Sequence, residues 1–238
     1  MFLSTGASRA GMMAGRRGVV RNESEAGKGW RTAAFIAACT LSGGAVYVAL
    51  EAGLLPAPFM VGHELAVVGG FFLVPLGILL ATGRKLRLGR LDRGFFEGIG
   101  LYMLFLVPLL LLIPLYPDFF SAYMMVPAAV VPWAILTLMQ VSTVDFFTKR
   151  IVQLEVEKRW GPGTGMLAQF AAWCGAHVIE YMWLKDIAGP AGAILFLGIT
   201  GAVSGAVFWR TKNVLGMMAG HWILNLVLAA AAIAYYPA

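Results

Sequence analysis

The stretch "ITGAVSGAVFWRTKNVLGMMAGHWILNLVL", Ile199–Leu228, decides the fold. Two long apolar runs meet at a short basic turn, Trp209–Asn213, and neither run shows the apolar–polar alternation of a barrel strand. Backbone crossing lipid must satisfy its own hydrogen bonds, so each run reads as a transmembrane helix. In the second run, Gly216 and Gly220 form a small-xxx-small pair that lets another helix approach closely, and His221 and Asn225 share one face at i, i+4.

The same pattern extends through the chain. Its 238 residues are 60% hydrophobic and 13% charged, which excludes an ordinary soluble domain. Apolar runs of spanning length fall at 32–54, 62–83, 98–116, 121–144, 165–184, 190–209 and 213–235. The expected fold is an all-α polytopic bundle of about seven spans. Residues 1–31 read as a basic, disordered cytoplasmic tail and not a signal peptide, because the first apolar run is long enough to span. Residues 32–238 read as one transmembrane domain, with no linker or internal repeat.

The net charge of +6 raises the possibility of nucleic acid, and the placement of the basic residues answers it. Lys plus Arg number six before the first span, then none, five, none, four, one, two and none in the successive connections. The alternation predicts a cytoplasmic N-terminus and a C-terminus on the far side. Basic charge therefore sets topology, and no nucleic-acid partner is needed. Cys39 and Cys174 stand alone in apolar runs and read as small core residues.

Ionisable groups inside spans are functional-site hypotheses by default. Glu51, His63, Glu64, Glu97 and Asp118 fall at the ends of spans or in loops and read as interfacial. In "FAAWCGAHVIEYMW" the expected fifth span places His177 and Glu180 on one helical face, with Trp173 and Tyr181 at four-residue offsets from His177. His177 would lie about 18 Å along the axis, well inside the hydrocarbon. Asp145 closes the fourth span in "VSTVDFFTKRIVQLEVEKRWGP", Val141–Pro162, and Lys149 follows it by four residues. Interhelical hydrogen bonding would account for any one of these sets. Three sets in so apolar a chain point to a site.

A carboxylate and two imidazoles in a restricted cavity suit general-base activation of water, with His or Asn stabilising an oxyanion, and peptide hydrolysis fits that plan. Lys149 would supply a cation that opposes the desolvation of Asp145. The same groups are possible divalent-metal ligands, but no HExxH or comparable pair occurs and no cofactor is expected. A transporter would need a polar path across the bilayer, whereas these residues cluster in three helices and the first three spans have almost none.

These motifs resemble the CAAX protease and bacteriocin-processing (CPBP, or Abi) membrane family. That family carries Glu-Glu-xxx-Arg at the end of a span, then Phe-xxx-His, then His-xxx-Asn in a late span. His221 and Asn225 match the last, and the whole of Ile199–Leu228 is similar to the family's closing unit. "WCGAH" is similar to the second motif, with Trp173 for Phe and His177 as its imidazole. At the first motif, Val144 stands at the first Glu, Asp145 at the second and Lys149 at the Arg. The resemblance covers about residues 121–235. It implies a glutamic-type intramembrane endopeptidase in which a carboxylate, Asp145 or Glu180, activates water. His177 would orient that water or shuttle a proton, and His221 with Asn225 would stabilise the oxyanion. The implied partners are the lipid bilayer and a membrane-associated protein or peptide substrate, in a bacterial inner membrane. Because Val144 cannot take a proton, the resemblance leaves open a non-catalytic scaffold that binds a partner's transmembrane or C-terminal segment.

Overall fold

The computed structural model describes residues 14–53, 62–115 and 130–235. It is helical almost throughout, with no strand among the described residues. Helix α1 spans Ala14–Glu51. Helices α2, Gly62–Val68, and α3, Val74–Ala81, are joined by a π-helical turn, Gly69–Leu73. This turn lies against α1 with backbones in contact, since a Cβ on Gly70 would fall 2.5 Å from the Gly43 carbonyl oxygen.

Helix α4, Arg93–Leu112, is capped by Asp92, whose carboxylate accepts from the Phe95 N–H at 3.3 Å. Helix α5, Val130–Asp145, runs into a π-helical segment, Phe146–Gln153, and then into α6, Leu154–Trp160. Gly161 stops it with a left-handed φ of 89°, and Pro162 opens α7, Pro162–Ala176. Helix α8, Val178–Thr211, reverses at Gly189, where φ is 69°, immediately before Pro190. Leu184 therefore packs against Ala193 and Leu197 across the bend. The turn into α9, Val214–Tyr235, uses Lys212 in the left-handed region and Asn213, whose side-chain carbonyl accepts from the Gly216 N–H at 2.9 Å.

The central contact is α4 against α9. The Gly216–Gly220 pair does bring a helix close, and that helix is α4: a Cβ on Gly216 would lie 2.6 Å from the Phe95 carbonyl oxygen, and one on Gly220 2.9 Å from Tyr102 Cβ. Tyr102, Leu109, Met217, Leu224 and Leu228 fill this seam and join Phe146 and Phe208 in one core. Leu104 and Leu111 point outward with 67% of their surface exposed, as residues facing lipid must.

Four helices among the described residues are long and apolar enough to cross a membrane: Gly29–Leu50, Arg93–Leu115, Ala188–Thr211 and Val214–Tyr235. They coincide with the first, third, sixth and seventh expected spans. The second expected span appears as a shorter apolar helix, Leu65–Ala81. Only Val130–Asp145 of the fourth lies within the described residues. The fifth is not continuous, because the backbone leaves helical geometry at His177, with φ −108° and ψ 25°.

Candidate active site

Asp145 ends α5 just where apolar sequence gives way to "FFTKRIVQ", and the π-helical turn that follows buries Phe146 and Thr148–Gln153. Lys149 and Arg150, which the sequence places among the topology-setting cations, are wholly buried. Each has an acid. Lys149 Nζ donates to Asp145 Oδ1 at 2.6 Å and sits 4.6 Å from the centre of the Trp173 ring. Arg150 donates to Glu155 at 2.9 Å and to the Lys85 carbonyl. A buried charge persists only when paired, and both pairs obey that rule.

Asp145 has no exposed surface, and its remaining contacts define the site. Oδ2 lies 3.3 Å from His221 Nδ1, and Oδ1 accepts from the Tyr102 hydroxyl at 3.3 Å. The His221 ring stacks on Tyr102, with centroids 5.1 Å apart and planes 19° from parallel, and its other neighbour is Trp173 at 5.9 Å. Trp173 in turn stacks on His177 at 4.0 Å. One indole thus touches both imidazoles and the lysine, so Asp145, Lys149, His177, His221 and Trp173 form a single constellation.

The expected fifth span bends at His177, where the backbone leaves helical geometry. His177 Nδ1 and its backbone N both donate to the Trp173 carbonyl, at 2.8 and 3.1 Å, and the Tyr181 N–H donates to the His177 carbonyl at 3.0 Å across the bend. Four-residue spacing brings Trp173 and His177 together. The Glu180 side chain lies outside the described residues, as do those of His63 and Glu64, and so does Asp118. Asn225 sits one turn beyond His221 on α9, half-buried, and makes no hydrogen bond among the described residues.

The sequence reading missed Tyr102. The expectation that the first three spans contribute almost nothing polar fails there, because α4 delivers this hydroxyl to the carboxylate. Its only signal is indirect: Gly98 lies one turn before it and meets Gly216, one turn before Gly220. Further buried polar atoms gather beside α7 and α8. Trp173 Nε1 and the Gln169 amide have no hydrogen-bond partner among the described residues.

A protein-family model, Type II CAAX prenyl endopeptidase Rce1-like, matches residues 100–227, more than half of the chain. The chain belongs to this family. It is therefore an integral membrane protein with a CAAX-protease-like fold, as its long apolar helices require. The family match begins at residue 100 and so takes in Tyr102 together with the three motif regions. Among curated proteins and solved structures, none matches this chain.

As a metal site the constellation offers Asp145 and His221, but an ammonium already shares Asp145 Oδ1. Among the described residues no three His, Cys, Asp or Glu side chains come together. What the arrangement provides without any added group is a fixed carboxylate–imidazole pair. A carboxylate accepts from Nδ1–H and thereby selects the tautomer whose Nε2 carries the lone pair.

Proposed function

We propose that this chain is an intramembrane endopeptidase in which Asp145 and His221 act as a pair. The observation that carries this reading is the 3.3 Å contact between buried Asp145 and His221 Nδ1. A carboxylate held by an ammonium at 2.6 Å is a weak proton acceptor, so Asp145 acts as a positioning group. His221, oriented by Asp145 and held between two aromatic rings, is the general base through Nε2. It takes a proton from water as the water oxygen attacks the scissile carbonyl carbon, then returns that proton to the leaving amine as the C–N bond breaks. His177 donates Nδ1–H to the Trp173 carbonyl, which leaves its own Nε2 free to accept from the same water. The Asn225 amide and the Trp173 indole N–H are the donors for the oxyanion.

The family description makes a prenylated C-terminal peptide the first substrate to try. The alternation of basic residues supports an N-terminus on the cytoplasmic side of the membrane. A second reading, an inactive scaffold that binds a partner's segment, is favoured by Val144 and by the use of both Asp145 oxygens in internal contacts.

The test has two parts: hydrolysis of a farnesylated CAAX peptide by the reconstituted full chain, and protein termini in cells lacking the gene. Wild type should cleave or restore specific termini, and His221→Ala should lower the rate by about 10²-fold or more while still inserting. Termini identical in the deletion, wild-type and His221→Ala cells, together with no peptide cleavage, would favour the scaffold.

A further inference from the structure

At the basic end of the bundle, apart from the Asp145 site, a cavity of about 280 Å3 opens between α1, the segment after α3, and α6. Its lining is Arg31, Thr32, Arg84, Glu155, Lys158 and Arg159, of which Arg159 has an interaction of its own. The carboxylate is already shared: Glu155 accepts from Arg84, from Lys158 at 2.5 Å and from buried Arg150 at 2.9 Å. One negative charge thus answers three positive ones, and Arg31 adds a further guanidinium at the rim. Positive charge converging in this way on one concave surface suits an anion.

Two exposed tryptophans beside the cavity point to where that anion comes from. Trp30 and Trp160, 64% and 45% exposed, directly adjoin Arg31 and Arg159 in sequence. They lie on one side of the molecule, because Gly29 approaches both Arg159 and Trp160. Exposed tryptophans settle at the level of the lipid headgroups, and basic pockets between helices at that level bind phosphate-bearing headgroups. The Arg84 guanidinium lies 4.1 Å from the centre of the Phe35 ring and donates to Glu155, which together fix it at the cavity wall.

We propose that this cavity is a binding site for a phosphate group, that of an anionic phospholipid lodged against α1 and α6. The site is independent of the peptidase reading. It ties the first helix to the amphipathic segment that follows Asp145, so occupancy stabilises the frame on which Asp145 and Lys149 are mounted.

The experiment follows thermal unfolding of the full chain in dodecylmaltoside micelles doped with phosphatidylglycerol, phosphatidylcholine or inorganic phosphate. Phosphatidylglycerol should raise the midpoint more than phosphatidylcholine does, and the preference should weaken with salt. Arg31→Gln should reduce the apparent affinity for phosphatidylglycerol about fivefold, and Arg31→Gln with Lys158→Gln about fivefold again. If the double variant does not fold, native mass spectrometry of phosphatidylglycerol retained by Arg31→Gln alone supplies the comparison. Equal protection by inorganic phosphate upholds the anion site and assigns it to free phosphate. Equal response to the two lipids, or a preference unchanged by Arg31→Gln, overturns the proposal.

Discussion

Replacing Lys149 with Met tests the central electrostatic claim, that Asp145 is tolerated in the interior because an ammonium neutralises it. Both side chains are wholly buried and 2.6 Å apart. Removing one partner of such a pair leaves an uncompensated charge and costs about 3–5 kcal/mol, whereas replacing both with uncharged groups is close to neutral. A chain of this size loses about 2–4 °C in Tm per kcal/mol, so Lys149→Met should lower the midpoint by about 6–20 °C. Adding Asp145→Asn to that variant should recover most of the loss, a coupling that the double-mutant cycle measures directly. Detergent-solubilised protein monitored by tryptophan fluorescence at a fixed scan rate gives all four midpoints. A Lys149→Met midpoint within about 2 °C of wild type, or a double variant no better than the single, would refute the pairing. For the same reason an apolar replacement of Asp145 alone does not report whether the site is functional, because it strands the Lys149 ammonium.

Gly216→Ala should destabilise by about 1–3 kcal/mol, because the new Cβ meets the Phe95 backbone at 2.6–2.8 Å and backbone cannot move aside as a side chain can; an unchanged Tm would show that α4 and α9 do not cross there. Tyr102→Phe keeps the ring stacked on His221 and removes only the hydroxyl on Asp145. Its stability should fall by about 1 kcal/mol, and any peptidase activity should decline in kcat with KM unchanged. Glu155 gives a pH dependence: burial pushes its carboxyl up, but Lys158 and then Arg150 outweigh this and hold it below its ordinary value of 4.5. The stabilisation is therefore present above about pH 4.5 and is lost as pH falls through the lower folded value. The Tm gap between wild type and Glu155→Gln should be full at pH 7 and shrink on acidification below that point, and a gap independent of pH would exclude the effect.

The sequence by itself determined the solvent and the order of the parts. Apolar run length identified the membrane class and located the Arg93–Leu115, Ala188–Thr211 and Val214–Tyr235 helices, because crossing a bilayer demands length and hydrophobicity that local sequence either has or lacks. Helical periodicity likewise placed Trp173 beside His177, and Lys149 beside Asp145, since contacts within one turn are local. Tertiary structure decided what that periodicity could not reach. The joining of Asp145 to His221 spans 76 residues and depends on how α5 and α9 pack. Tyr102 enters only because Gly98, Gly216 and Gly220 let α4 and α9 touch backbone to backbone. The bend at His177 is a departure of one residue's backbone dihedrals, which residue spacing does not register. Sequence showed which polar residues lie among the apolar ones, and packing alone determined which of them meet.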